Sequence, residues 1–294
     1  MKIIFMGTPD FAVPALCALL EAGHEIPLVF TQPDKPRGRG HKVTFSPVKE
    51  CAISRNIEVF QPLSLRRGDD GIKSLEIIEE VNPDAIIVAA YGQILPREIL
   101  EFPRYGCVNI HASLLPRWRG AAPINFCIMN GDTESGVTIM QMETGIDTGD
   151  MLLFEKCAVT SKMTASELHD ELKEIGARLI VKFAENPDDY MKYKVKQNDE
   201  ESTHAPMITK EMKQIDWNKT AVEIYNFIRG LSGEAYTFFG GKRLKVFSSG
   251  IVETIDSKLD FACGNGAALR LLEIQPEGRK RMSAEEFLRG MREE

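Results

Sequence analysis

Residues 85–91 (AIIVAAY) form a continuous apolar run. A run of this length without polar alternation is typical of a strand that is covered on both faces. Other short β-rich runs recur through the first 185 residues, and segments with the 3.6-residue period of amphipathic helices separate them. This alternation predicts an α/β fold, with a doubly wound, Rossmann-like and mostly parallel sheet.

Local signals place the individual elements. Ser46 followed by Pro47 is typical of a helix start, and the spacing of Thr164 and Glu167 is that of a capping box. The predicted helices are 11–22, 47–56, 72–81, 122–129 and 165–184. The predicted strands are 3–6, 26–31, 85–91, 107–111, 136–142 and 151–159.

The composition of the chain changes after residue 185. Residues 186–208 are polar and without clear periodicity, which predicts a linker. Beyond them come a helix near 221–229, β-like runs at 235–239, 244–255 and 266–274, and a capping-box helix that opens at Ser283. The sequence therefore predicts a domain at 1–185, a linker at 186–208, and a small OB-like β-barrel domain at 209–294.

Composition excludes several classes of protein. No apolar run approaches the ~20 residues of a membrane span, so we expect a cytoplasmic protein without a membrane partner. Six scattered cysteines show no CxxC spacing, which favours reduced thiols over disulfides or a zinc site. The net charge is −7, but residues 209–294 carry 14 Lys and Arg against 13 Asp and Glu. A nearly neutral tail on an acidic body weakly indicates an anionic partner for the tail.

Two polar residues stand in the predicted strand 107–111. Asn109 and His111 are two positions apart and therefore point to the same side. They end a strand, and doubly wound sheets bind ligands at the carboxyl ends of their strands. An amide and an imidazole could together hold an oxyanion in acyl transfer. The alternative is a core histidine with satisfied hydrogen bonds beside a turn-forming asparagine.

Two further segments could carry function. In residues 145–150 (GIDTGD), Asp147 could orient His111 or transfer protons. The alternative is structural, because an aspartate in a Gly-rich turn usually hydrogen-bonds its own backbone. Asp150 could equally be the turn residue. Residues 33–42 (PDKPRGRGHK) form a basic loop suited to phosphates, or else a solvated surface loop. Neither GxGxxG nor GxxxxGK[ST] is present, and the five histidines are too scattered to form a metal-ligand cluster.

Taken together, the sequence resembles the methionyl-tRNA formyltransferases over nearly its whole length. The matching segments are 5–11 (FMGTPDF), 91–96 (YGQILP), 109–123 (NIHASLLPRWRGAAP), 145–150 (GIDTGD), 215–217 (IDW) and 278–282 (GRKRM). The resemblance implies that Asn109, His111 and Asp147 are catalytic and that 10-formyltetrahydrofolate is the formyl donor. No metal is implied.

The resemblance also assigns binding residues and partners. The implied folate-binding residues are Ala89, Tyr91, Gly92, Gln93, Ile94, Leu95, Ser113, Leu114, Leu115 and Pro116. The implied tRNA-binding residues are Lys35, Arg37, Arg39 and Lys42. The implied partner is initiator methionyl-tRNA, and the implied enzyme is a monomer. Its C-terminal domain would lie along the acceptor stem of the tRNA. Three alternatives stay open: formyl transfer to another amine such as a sugar nucleotide, hydrolysis of the donor to formate, and folate or RNA binding without catalysis.

Overall fold

The computed structural model describes residues 1–37, 42–264 and 266–291. Its helices are α1 (Val13–Glu21), α2 (Pro47–Ser54), α3 (Gly68–Val81), α4 (Arg97–Glu101), α5 (Pro123–Met129), α6 (Ala165–Glu185), α7 (Pro187–Lys192), α8 (Ala221–Leu231) and α9 (Ala284–Gly290). Its first nine strands are β1 (Lys2–Gly7), β2 (Glu25–Phe30), β3 (Lys35–Arg37), β4 (Lys42–Thr44), β5 (Glu58–Phe60), β6 (Ala85–Ala89), β7 (Cys107–His111), β8 (Glu134–Gln141) and β9 (Met151–Ala158). The remaining strands are β10 (Tyr236–Phe239), β11 (Lys242–Val252), β12 (Asp260–Ala262), β13 (Ala268–Pro276) and β14 (Met282–Ser283).

The described chain forms two compact units. The first contains Met1–Arg119, Gly136–Lys156 and His169–Thr203, and the second contains the intervening segments and the chain from His204 onward. No helix in the described part of the chain is both long enough and apolar enough to cross a membrane.

A seven-stranded sheet organises the first unit, in the order β5-β2-β1-β6-β7-β8-β9. Strands β5, β2, β1, β6 and β7 pair in parallel, and β7 pairs antiparallel with β8. On one face, residues of α3 and α4 pack with β1, β2 and β6 in an apolar cluster that includes Met6, Phe30, Ile78 and Ile99. The predicted doubly wound, mostly parallel sheet is therefore confirmed.

Local sequence signals act as expected at several helix starts. The Ser46 hydroxyl accepts a hydrogen bond from the Lys49 amide at 3.2 Å, and Pro47 occupies the first turn of α2. At the start of α6, the Thr164 amide donates to the Glu167 carboxylate at 2.8 Å. Each contact satisfies a donor of the first turn that helix geometry leaves unpaired.

In the second unit, an antiparallel half-barrel packs against a helix. The strand order is β10-β11-β13-β12, with β14 paired to β13. Its core includes Ile224 and Ile228 of α8, Val246 of β11, and Leu271 of β13. Helix α8 begins with a complete capping box between Thr220 and Glu223. The prediction of a small C-terminal β-domain is confirmed, and the structure shows it as an antiparallel half-barrel.

The segment 186–208, predicted to be a linker, is only partly outside the first unit. Its residues up to Thr203 belong to that unit and include α7. Val195 pairs antiparallel with Met151, and Gln197 is buried. Local composition did not reveal this structure, because the strand pairing joins positions about 45 residues apart.

Candidate active site

The carboxyl ends of β1, β2 and β6 are tied together by one hydroxyl. Thr8 follows β1, and its Oγ1 donates to the Tyr91 carbonyl at 3.2 Å and accepts from the Gln32 amide at 3.2 Å. The strand order reverses between β1 and β6. Strands β2 and β5 lie on one side of β1, and strands β6, β7, β8 and β9 lie on its other side. Such a switch point is where open α/β sheets bind their ligands.

His111 is the last residue of β7 and lies next to this edge, with only 5% of its surface exposed. Its Nε2 lies 3.0 Å from the Trp118 carbonyl oxygen, and its Nδ1 lies 3.6 Å from Oδ2 of Asp147. A carbonyl oxygen can only accept a hydrogen bond, so Nε2 carries a hydrogen and donates a hydrogen bond to the Trp118 carbonyl. The Nδ1 side of the ring therefore faces the Asp147 carboxylate.

Asn109 lies two residues before His111 on the same side of β7 and is half-buried. It is opposite Val88 of β6 and Met140 of β8, so β7 is held by a neighbouring strand on each side. This pairing fixes the backbone from which both side chains project. An amide at this position can donate a hydrogen bond without adding charge.

Asp147 lies in the loop between β8 and β9, and its backbone is in the left-handed region with φ of 54°. Left-handed backbone is unfavourable for a non-glycine residue by roughly 1–2 kcal/mol and persists where surrounding contacts hold it. Gln197 supplies such contacts, since its Nε2 donates to the carbonyl oxygens of Asp147 at 2.8 Å and Gly149 at 2.7 Å. The structure thus places the Asp147 carboxylate beside the His111 ring.

Sequence reasoning missed Gln197. The Trp118 ring is packed within the protein: it is 8% exposed, and the Arg117 guanidinium lies 4.4 Å from the ring centre. Gln197 lay in an unremarkable polar stretch. Its one local signal is the alternation of residues 193–197 (YKVKQ), which is typical of extended chain.

The residues assigned to folate binding divide into two groups. The first group is engaged within the protein: Ser113 donates to the Arg117 carbonyl at 2.6 Å, and Gln93 binds the backbone of Pro62 and Leu65 at 2.9 Å. Ala89, Tyr91, Leu95 and Leu115 are buried. The second group is accessible: Gly92 and Ile94 are exposed, and Leu114 and Pro116 are half-buried. Of the assigned residues, those of the second group therefore have surface available to a ligand.

Burial also affects the Tyr91 phenol. Its side chain lies in the apolar cluster of the first unit, and burial raises the pKa of this phenol well above its ordinary value. The hydroxyl is therefore neutral at physiological pH, and we assign it no role in proton transfer.

Three of the four residues assigned to tRNA binding, Lys35, Arg37 and Lys42, lie on a short hairpin. β3 and β4 pair antiparallel, with Arg37 directly opposite Lys42, and Lys35 is exposed at the start of β3. Arg39 lies outside the described residues. At the base of the hairpin, Lys49 forms an ion pair with Asp34 and donates to Gln61 at 2.6 Å.

Comparison with known proteins identifies the family. Residues 1–184 match the family described as formyl transferase, and residues 207–292 match the formyl transferase C-terminal domain. The chain belongs to the formyl transferase family. Among its relatives, the methionyl-tRNA formyltransferase of Caldanaerobacter subterraneus is 48% identical, with 99% of this chain and 97% of that protein covered. The methionyl-tRNA formyltransferase of Agathobacter rectalis is 47% identical over 99% of this chain and 96% of that protein.

Two solved structures share the fold of this chain. An N-formyltransferase from Helicobacter canadensis, in complex with folinic acid and dTDP-3-aminofucose, matches with a TM-score of 0.69 at 20% identity, over 94% of this chain and 99% of that one. HypX from Aquifex aeolicus, in complex with tetrahydrofolic acid, matches with a TM-score of 0.66 at 16% identity, over 98% of this chain and 47% of that one.

Proposed function

We propose that this formyl transferase moves the formyl group of 10-formyltetrahydrofolate to the α-amino group of initiator methionyl-tRNA, in the cytoplasm. The observation that carries the proposal is the His111–Asp147 contact of 3.6 Å at the end of β7, with Asn109 on the same side of the strand. The name shared by relatives that are 47–48% identical over 99% of the chain supports the choice of acceptor.

The proposed reaction needs no covalent enzyme intermediate. The neutral amine of the methionyl ester attacks the formyl carbon, and a bond forms between nitrogen and carbon while the carbonyl oxygen becomes an oxyanion. Asn109 donates to this oxyanion, and the His111 ring lies beside it. The amine then loses a proton to the Asp147–His111 pair, which delivers it to N10 of the folate as the N10–carbon bond breaks.

The accessible residues Gly92, Ile94, Leu114 and Pro116 would contact the folate. The remaining six assigned residues would shape its site through their backbone and packing: Ala89, Tyr91, Gln93, Leu95, Ser113 and Leu115. Support for this division comes from the engaged side chains of Ser113 and Gln93 and the burial of Tyr91. Lys35, Arg37, Arg39 and Lys42 would bind the tRNA end, and the C-terminal domain at 209–294 would lie along the acceptor stem.

Single substitutions test the catalytic assignment. Asn109→Ala removes one oxyanion donor and should lower turnover by on the order of 10²–10³. Asp147→Asn keeps the shape of the side chain but removes its charge, and we expect a similar loss. Transfer is measured with saturating donor and initiator methionyl-tRNA, and circular dichroism checks folding. A loss below about tenfold in either variant would remove that residue from the catalytic role.

The choice of acceptor is tested with the unaltered protein. Initiator methionyl-tRNA, elongator methionyl-tRNA and an amino-sugar nucleotide are offered separately with 10-formyltetrahydrofolate. We expect formylation of the initiator tRNA above the other two. Preferred formylation of the sugar nucleotide, or release of formate without any acceptor, would contradict the proposed function.

A further inference from the structure

The backbone of the loop that carries Asp147 accepts two hydrogen bonds from one buried side-chain amide. Gln197 is 5% exposed, and its Nε2 donates to the carbonyl oxygens of Asp147 at 2.8 Å and Gly149 at 2.7 Å. An amide nitrogen has two hydrogens, so both are used on carbonyls on either side of Thr148. The backbone is thereby held at the residue whose carboxylate faces His111.

The orientation of Gln197 is set by Arg119, which is 4% exposed. Its Nε donates to Gln197 Oε1 at 2.9 Å, and its Nη2 donates to Asp199 at 2.8 Å. A guanidinium can only donate, so the oxygen of the amide must face Arg119 and its NH₂ must face the loop. Asp199 in turn holds the guanidinium in place.

The two-residue stretch Trp118–Arg119 therefore reaches both members of the candidate catalytic pair. The carbonyl of Trp118 accepts from His111 Nε2 at 3.0 Å, and the next side chain holds Gln197 against the Asp147 loop. The left-handed backbone of Asp147, with φ of 54°, makes this support necessary, since such a conformation persists where its surroundings fix it.

We propose that Gln197 and Arg119 are positioning residues that set the Asp147 carboxylate against the His111 ring. This inference rests on the proposed function, in which that pair transfers protons. Neither residue touches the reacting groups. Their effect is to keep the Nδ1–Oδ2 separation near its observed 3.6 Å during turnover.

Gln197→Glu tests the role with little change of shape. The carboxylate still accepts from Arg119 but has no hydrogen to give, and it sets a negative charge against the two loop carbonyls. Because a displacement of about 1 Å can cost on the order of 100-fold in rate, we expect kcat to fall ten- to a hundredfold. The KM values for 10-formyltetrahydrofolate and methionyl-tRNA should stay within about twofold, since neither binding surface changes.

Asn198→Asp is the matched control. It makes the same change from amide to acid at the next residue, whose exposed side chain contacts Glu200 and Glu201 instead of the Asp147 loop. We expect unchanged kcat. An equal fall of kcat in Asn198→Asp and Gln197→Glu would overturn the proposal, because it would assign the effect to added charge.

A readout without turnover separates positioning from simple support of the fold. The ¹⁵N chemical shifts of the His111 ring report which nitrogens carry protons, and Asp147→Asn gives the shifts expected when the carboxylate is lost. Gln197→Glu should move the His111 signals towards those of Asp147→Asn and leave the other four histidines unchanged. Unaltered His111 signals would overturn the proposal. Absence of formyl transfer by the unaltered protein would instead refute the proposed function, and the ring signals would still decide whether Gln197 positions Asp147.

Discussion

The buried hydroxyl of Tyr91 in the first unit shows how burial of a polar atom affects the free energy of unfolding. Tyr91 is 2% exposed, and its hydroxyl finds no hydrogen-bond partner among the described residues. A buried polar group without a partner is unfavourable by roughly 1–3 kcal/mol. Tyr91→Phe removes this hydroxyl and keeps the ring, so we expect the free energy of unfolding in urea to rise by about 1 kcal/mol.

The pH dependence of stability provides a second measurement on the same pair of proteins. Burial raises the pKa of the Tyr91 phenol, so the folded state binds its proton more tightly than the unfolded chain. The resulting stabilisation is complete below the ordinary tyrosine pKa of 10.0 and is lost as pH rises above it. The free energy of unfolding should therefore decline less steeply above pH 10 in Tyr91→Phe. Parallel declines, or a less stable variant, would contradict this account of Tyr91.

At the scale of elements, α6 approaches the active-site strand through a glycine. A Cβ atom built on Gly176 would lie 2.7 Å from Cγ2 of Ile110, which stands between Asn109 and His111 on β7. Isoleucine is stiff at this branched carbon, so the methyl group cannot move aside without shifting the strand. We expect Gly176→Ala to lower the free energy of unfolding by about 1–3 kcal/mol, despite the better helix propensity of alanine.

Gly290 provides the control for that prediction. It lies in α9, and a Cβ atom there would meet no other atom within 4 Å. Gly290→Ala should be neutral or raise the free energy of unfolding by up to about 1 kcal/mol, through helix propensity alone. Thermal and urea unfolding of both variants give the comparison. A change of the same sign in both would show that the contact with Ile110 does not matter.

Elements that depend on local chemistry could be predicted from the sequence. The starts of α2 and α6 follow from Ser46 and Thr164, whose hydroxyls accept from nearby backbone amides. The start of α3 was placed four residues too late, because its first turn is polar and Asp70 there accepts from the Leu63 amide at 2.7 Å. Hydrophobic periodicity does not report such a turn.

Contacts between distant positions could not be predicted in the same way. Gln197 reaches Asp147 across 50 residues, and Arg119 reaches Gln197 across 78. No local pattern encodes either contact, because each depends on the folded path of the chain. The placement of Asn109 and His111 on the same side of a strand could be predicted, because residues two positions apart on a strand point to the same face.

For the whole molecule, the proposed function raises the physical question of how an acidic chain would bind a polyanion. The net charge is −7, so overall electrostatics oppose tRNA at long range. The segment from Lys35 to Lys49 contains five Lys or Arg residues and no Asp or Glu. A local cluster of this kind can dominate once the tRNA lies within a Debye length of about 8–10 Å.

Binding of phosphates by this cluster predicts a specific salt dependence. Each cation that neutralises a phosphate releases a counterion, which adds about 0.7–0.9 to the slope of log affinity against log salt concentration. Replacing Lys35 and Arg37 together by glutamine should reduce that slope for tRNA by about 1–2 and weaken tRNA binding at low salt. The affinity for 10-formyltetrahydrofolate should not change. Filter binding of tRNA between 50 and 200 mM salt, about the range over which such slopes are measured, gives the comparison.

The control changes net charge equally but elsewhere. Lys73 on α3 and Lys182 on α6 are exposed lysines outside the hairpin, and replacing both by glutamine makes the chain more acidic by the same two charges. If the hairpin contacts phosphates directly, this control should keep the slope of the unaltered protein, because distant charges act only through the screened overall field. Equal slopes in the two double variants would mean that total charge governs tRNA binding, and the assignment of Lys35 and Arg37 to the interface would then be wrong.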